Sequence, residues 1–326
     1  MKFKHAFNVF IDNFIVTYKV LLYRVIILLF SMCLYTAVIL PFIHSISGTT
    51  QVIELSDAIG AFGSALANLD FDGLQGAWQE IRNAFGEVMQ LLGARVGSIV
   101  LTVVILILVY LIQKFLSGLS NYTAGALIND KMAMRADSSF IGTLIKNLGK
   151  ASLYNVIYVP ISFVYDLIIF VVMGAIVFGL MNANAPILLL IAMFSTCITF
   201  LYVIKMALTS DWLPALIYGK MTNRNAMAYS LNYKAKNKAF WPTIANYVVL
   251  VLVVFALNVA AIFLTFGAGL LLTMPASYVM IISFEFVNYC DNNEVKYFMD
   301  KNTVVKPERE TAMTREQFFK GEKDNR

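Results

Sequence analysis

Charge is what this 326-residue sequence has least of: Asp, Glu, Lys and Arg make up 14% of it, against about 25% in an ordinary soluble domain. A soluble globular fold is thereby excluded. Histidine occurs only as His5 and His44, which leaves no histidine-based metal site. The three cysteines, Cys33, Cys197 and Cys290, are scattered and form neither a disulfide framework nor a C-x-x-C pair. No Walker loop, H-E-x-x-H, G-x-S-x-G or Gly-rich dinucleotide fingerprint occurs. An enzyme would therefore have to build acid–base chemistry from isolated carboxylates such as Asp166 and Glu285, and no cofactor is implied. The net charge of +5 is modest and its cations flank apolar runs. The expected counter-charge is an anionic lipid headgroup, not nucleic acid.

Apolar length is what the chain has in abundance. Hydrophobic residues make up 59% and cluster in uncharged stretches of roughly 20, enough to cross about 30 Å of hydrocarbon. Six spans are predicted, at about 23–43, 96–116, 156–181, 187–209, 243–265 and 268–288, giving an all-α integral membrane fold. The first is too long for a signal-peptide core and lacks an A-x-A cleavage site, so it reads as retained. In residues 2–20, Phe3, Phe7, Phe10 and Phe14 recur at helical spacing among Lys2, Lys4 and Lys19. That stretch reads as an interfacial amphipathic helix or as the polar start of span one. Residues 138–150 and 225–240, the latter with Lys234, Lys236 and Lys238, read as further amphipathic helices.

Every lysine and arginine except Arg82 and Arg95 lies at the N-terminus, in the two stretches between hairpins, at span ends or in the tail. Both termini are therefore expected in the cytoplasm, with the chain in a bacterial cytoplasmic membrane. The two exceptions fall in or at the rim of an outer segment, residues 44–95, expected to hold two short helices broken at Asp70–Gly73. The letters Asp70-Phe71-Asp72-Gly73 lack the later ligands of an EF-hand, so they read as a helix-capping turn. Phe266-Gly267-Ala268-Gly269 reads as a tight reversal that needs glycine's backbone freedom. Gly174 and Gly179 read as close-packing points. The tail, residues 291–326, carries dense charge of both signs and reads as loosely structured or as a short helical extension.

One motif divides the chain. Ala126–Arg135, ALINDKMAMR, returns 89 positions later as Ala215–Arg224, ALIYGKMTNR, with Ala, Leu, Ile, Lys, Met and Arg in register. At the same offset Tyr158 falls on Tyr247. Read as an internal repeat in parallel topology, this divides the membrane domain 1–290 into three helix-plus-hairpin units: 1–118 with the insertion 44–95, 119–209 and 210–290. Lys131, Arg135, Lys220 and Arg224 are then expected at headgroup depth, anchoring the chain to lipid phosphate at about 1 kcal/mol each. Substrate binding is the other role open to them.

An apolar span, ALI-x-x-KM-x-x-R, the stretch Arg224-Asn225-Ala226-Met227-Ala228-Tyr229-Ser230, then Phe240-Trp241 opening a new span, resembles a group of bacterial multi-pass families. These are the membrane domain found beside glycerophosphodiester phosphodiesterases and related uncharacterised six-span proteins. The likeness covers most of residues 1–290. It implies a fold and a membrane role but not the hydrolase activity, because the catalytic barrel and its paired histidines have no counterpart here.

Few charges fall inside the predicted spans, and those named as candidates are Asp166, Lys205 and Glu285. A charge at the bilayer centre costs about 2.5–3.5 kcal/mol on the mildest scale, so they are the candidate lining of a polar cavity open to the cytoplasm. A structural ion pair or snorkelling side chains are the alternatives. The first reading of function is a non-enzymatic scaffold, envelope-assembly or regulatory protein with lipid contacts and a possible membrane-protein partner. A small transporter or lipid-handling permease is second, and a lipid-modifying enzyme third.

Overall fold

The computed structural model describes residues 2–46, 49–68, 70–93, 96–135, 139–183, 186–236, 240–300, 302–306 and 311–314. In chain order these form α1 (Lys2–Asp12), α2 (Phe14–Ile46), α3 (Thr50–Ala67), α4 (Phe71–Gly93), α5 (Val96–Met132) and α6 (Phe140–Asn182). Then come α7 (Ile187–Thr209), α8 (Trp212–Ile217), α9 (Asn223–Lys236), α10 (Phe240–Thr265) and α11 (Leu270–Asn292). Three short strands follow: β1 (Tyr297–Phe298), β2 (Thr303–Lys306) and β3 (Thr311–Thr314).

Six segments are long and apolar enough to cross a membrane: Phe14–His44, Val96–Met132, Phe140–Leu180, Leu189–Ile217, Phe240–Thr265 and Leu270–Asn292. The chain is an all-α, multi-pass membrane protein. Its helices run longer than the predicted spans. α5 passes through most of the first motif copy, and α6 joins the separate stretches 138–150 and 156–181 into one helix of 43 residues. At 1.5 Å per residue that is about 65 Å, twice a hydrocarbon core. Local hydropathy marks the part of a helix that prefers lipid, whereas the hydrogen-bond ladder continues until a capping residue or a proline stops it.

The contacts divide the chain into two compact units. The first comprises Met1–Ile27, Lys114–Ile161 and Phe200–Arg326, and the second Leu28–Gln113 and Ser162–Thr199. The first is organised on α11, whose most apolar window is 56% buried where those of the other five spans are 6–17% buried. Phe3 of α1 stacks on Phe284 at 5.0 Å, and Tyr247 of α10 meets the same ring edge-on at 5.3 Å. Tyr154 and Tyr158 of α6 sit against Trp212 of α8 at 5.5 and 5.7 Å. The α10–α11 reversal carries Gly267 at φ 89°, as a tight turn requires, with Phe266 also at positive φ.

In the second unit α3 and α4 pack together as a helical pair. Asp70 caps α4 by accepting a 3.0 Å hydrogen bond from the Gly73 N–H, which is the capping role expected of it. Leu74 and Leu190 anchor a small core with Phe62, Trp78 and Leu180. The reading of Gly174 and Gly179 as close-packing points is corrected, because a Cβ added at either meets nothing within 4 Å.

The tail also differs from expectation. β1, β2 and β3 form an antiparallel sheet in sequence order, and Tyr297, Val304 and Val305 are at most 1% exposed in the first unit's core. Charge density concealed two short apolar pairs, Tyr297-Phe298 and Val304-Val305, that are largely buried once the strands pair. Arg95, Lys238, residues 307–310, the charged end 315–326 and parts of the turns at 136–138 and 184–185 lie outside the described residues.

Candidate functional site

The two motif copies end their helices differently. In the first, α5 stops in a Schellman arrangement. The Met134 N–H donates to the Lys131 carbonyl at 2.9 Å and the Arg135 N–H to the Asp130 carbonyl at 2.8 Å, with Met134 at φ 53°. In the second, Pro214 stands where the first has Gly125. Proline cannot donate to the carbonyl four residues back, and the span is interrupted there, between Thr209 and Trp212. Gly219 then ends α8 where an added Cβ would lie 2.6 Å from the Ala215 carbonyl oxygen and 2.7 Å from the Tyr289 hydroxyl. Lys220 adopts φ 50°, a left-handed conformation that costs a non-glycine residue about 1–2 kcal/mol.

Both copies open on one cavity of about 750 Å³ in the first unit. The first copy contributes Asn129, Asp130 and Arg135, the second Lys220, Met221, Thr222 and Asn223. Between them α6 presents Thr143, Lys146, Asn147 and Lys150, at the three- and four-residue spacing of a single helix face. Tyr122, Leu153, Leu216 and Ile217 complete the wall with apolar surface. Asp130 is the one carboxylate in this lining, and Arg135 holds it at 3.0 Å. The first turns of α6 and α9 both reach the cavity and neither contains an acidic residue. Ser139 Oγ accepts from the Gly142 N–H at 3.0 Å, and Thr222 Oγ1 from the Asn225 N–H at 3.4 Å. The buried amides of Asn129 and Asn223, 5% and 8% exposed, each leave Oδ1 without a partner.

A second polar feature lies at the interrupted span. Asp211 and Lys234, 2% and 3% exposed, stand 3.4 Å apart. Lys234 Nζ donates to Ser210 Oγ at 3.0 Å and Ser230 Oγ at 3.2 Å, while Ser230 Oγ donates to the Leu208 carbonyl at 2.8 Å. Burial lowers the Lys234 pKa, against the raising pull of Asp211 and Glu285. Nearer the N-terminus, Lys2 Nζ donates to Asn292 and Asn288 at 2.8 and 3.2 Å. His5 Nδ1 meets the Tyr297 hydroxyl at 3.0 Å, and that hydroxyl donates to Asp291 at 3.0 Å. Burial lowers the pKa of both Lys2 and His5.

Of the predicted anchors, Arg135 and Lys220 line the basic cavity. Lys131 instead donates to the Asp12 carbonyl at 3.2 Å and lies 4.0 Å from its carboxylate, while Arg224 is exposed on α9. Asp166, in the second unit, accepts a 2.6 Å hydrogen bond from the Tyr110 hydroxyl. Lys205 and Glu285 belong to the first unit, the ammonium of Lys205 5.7 Å from the Tyr202 ring centre. Lys146, Lys150 and the Asp211–Lys234 pair were not singled out from the sequence. Lys234 reads there as one of three interfacial lysines, and its one local signal is Asp211 standing just ahead of Pro214.

Among the described residues no three His, Cys, Asp or Glu side chains are grouped to hold a metal ion. Comparison with known proteins finds no matching family model, no matching curated sequence and no matching solved structure.

Proposed function

We propose that this protein is a non-enzymatic scaffold or regulatory component of a bacterial cytoplasmic membrane, with both termini cytoplasmic and its basic boundary residues against the anionic inner leaflet. The observation that carries the reading is how charge divides between the units. The second unit's ranges contain Arg82 and Arg95 against Glu54, Asp57, Asp70, Asp72, Glu80, Glu87 and Asp166, and every other lysine and arginine falls in the first. Cytoplasmic flanks retain cations during insertion, which supports a cytoplasmic placement of the first unit's termini and loops. The motif likeness to membrane domains beside glycerophosphodiester phosphodiesterases agrees with a membrane role of this kind.

A permease is the second reading, supported by the interrupted span and its buried Asp211–Lys234 pair, because broken helices and buried charged groups recur where transporters hold their solutes. Purification of the tagged full chain from native membrane tests the two. A stoichiometric membrane-protein partner, with no solute flux on reconstitution, is expected. Flux abolished by Asp211→Asn, with no partner recovered, would overturn the scaffold in favour of the permease.

A further inference from the structure

We propose that the cavity between the two motif copies binds a phosphate ester, the chemistry of an anionic phospholipid headgroup such as that of phosphatidylglycerol or of a soluble phosphate ester such as glycerol phosphate. The proposal deepens the reading of the two motif copies as cytoplasmic and close to the inner leaflet, and rests on it for access to lipid.

Three observations converge. Arg135, Lys146, Lys150 and Lys220 come from three separate segments and face Asp130 as the one carboxylate among the described lining residues. The N-termini of α6 and α9 add their partial positive charge at Thr143 and Asn223, and no acidic residue in either first turn offsets it. Helix N-termini combined with basic side chains are a recurrent phosphate site. Polarity also changes along the wall. Ten residues of α6, about 15 Å, separate the buried Thr143 from Leu153, which is 60% exposed. A headgroup at the basic end would leave its acyl chains beside the exposed apolar face of Leu153 and Val156. A volume near 750 Å³ falls within the usual range for a small-ligand site.

Full-length protein in nanodiscs decides it. The nanodiscs would contain phosphatidylcholine with or without phosphatidylglycerol, and retained lipid would be read by native mass spectrometry. Glycerol 3-phosphate and inorganic phosphate would be titrated in parallel against protein in phosphatidylcholine alone. Lys146 and Lys220 are exposed, so Lys146→Gln with Lys220→Gln should leave the fold intact. At about fivefold per cation, the double variant should bind roughly thirtyfold more weakly, while Lys4→Gln, a charge removed from α1 outside the cavity, should bind as the parent does. Selective retention of phosphatidylglycerol identifies the lipid as source, and binding of glycerol phosphate without lipid preference identifies the soluble ester. Either result supports the site. Binding of none of the probes, or equal loss in the Lys4→Gln control, overturns it. Labelling of a Lys220→Cys variant from outside the cell would overturn the membrane orientation instead, and leave the phosphate measurement standing.

Discussion

Removing one partner of the Asp211–Lys234 pair should destabilise the protein far more than removing both. The two side chains are 2% and 3% exposed, so Lys234→Met leaves a carboxylate in the core without its cation, while Asp211→Asn leaves an ammonium held by two serine hydroxyls. Breaking a buried pair in this way costs about 3–5 kcal/mol, whereas replacing both charges by neutral groups is often close to neutral. At about 2 °C per kcal/mol for a chain of this size, either single variant should lower the thermal midpoint by roughly 6–10 °C, with Asp211→Asn at the milder end. The double variant should recover at least half of that loss. Detergent-solubilised wild type, both singles and the double, melted under one condition and compared as a cycle, measure the coupling. A Lys234→Met midpoint within about 2 °C of wild type, or a double as unstable as the two singles added, would refute the reasoning. The Arg135–Asp130 pair is the comparison. At 3.0 Å it is the shorter contact, but its side chains are 59% and 28% exposed. Arg135→Gln should therefore change stability by no more than about 1 kcal/mol.

Burial lowers the His5 pKa below its usual value of 6.5, so the fold favours the neutral ring. The unfolded or undocked chain takes up its proton first as pH falls. Docking of α1 should therefore be complete above about pH 6.5 and weaken below it, read as increased hydrogen exchange of the α1 amides. His5→Gln should flatten that dependence, and an unchanged profile would remove His5 as its cause. Gly118→Ala should destabilise by about 1–3 kcal/mol, because the added Cβ would collide with the side chain of Asn155. Gly174→Ala, which meets open space, should be neutral or stabilise by up to about 1 kcal/mol; a reversed order in thermal melts would contradict the packing described. Tyr110→Phe removes the 2.6 Å hydrogen bond to Asp166 and should cost about 1–2 kcal/mol, while Asp166→Asn, whose amide oxygen can still accept from the hydroxyl, should cost less; a silent Tyr110→Phe would show that the bond carries no stability.

The six spans were legible because lipid preference is written residue by residue: five predicted stretches each fall within one helix, the fourth of them ending at the break before α8, and the sixth starts two residues ahead of α11. The capping turn at Asp70 and the reversal at Gly267 were legible for a similar reason, since both are decided within a few residues. The motif was legible as a pair of letter strings, but its two copies do not fold alike. Pro214 and Gly219 stand where the first copy has Gly125 and Asp130, and the interruption at residues 210–211 follows from the proline.

By itself, then, the sequence determined the membrane class, the number of spans and the gathering of cations at span ends, since hydropathy and charge belong to each residue wherever the chain runs. Only the tertiary structure decided which lysine does what. Lys131 meets Asp12, Lys220 lines a cavity with Arg135, and Lys234 is buried against Asp211. The three are the same residue type, and Lys131 and Lys220 occupy the same place in the repeated motif. Their surroundings come from segments tens to more than a hundred residues away, and a charged group's role depends on what that distant chain places within a few ångströms of it.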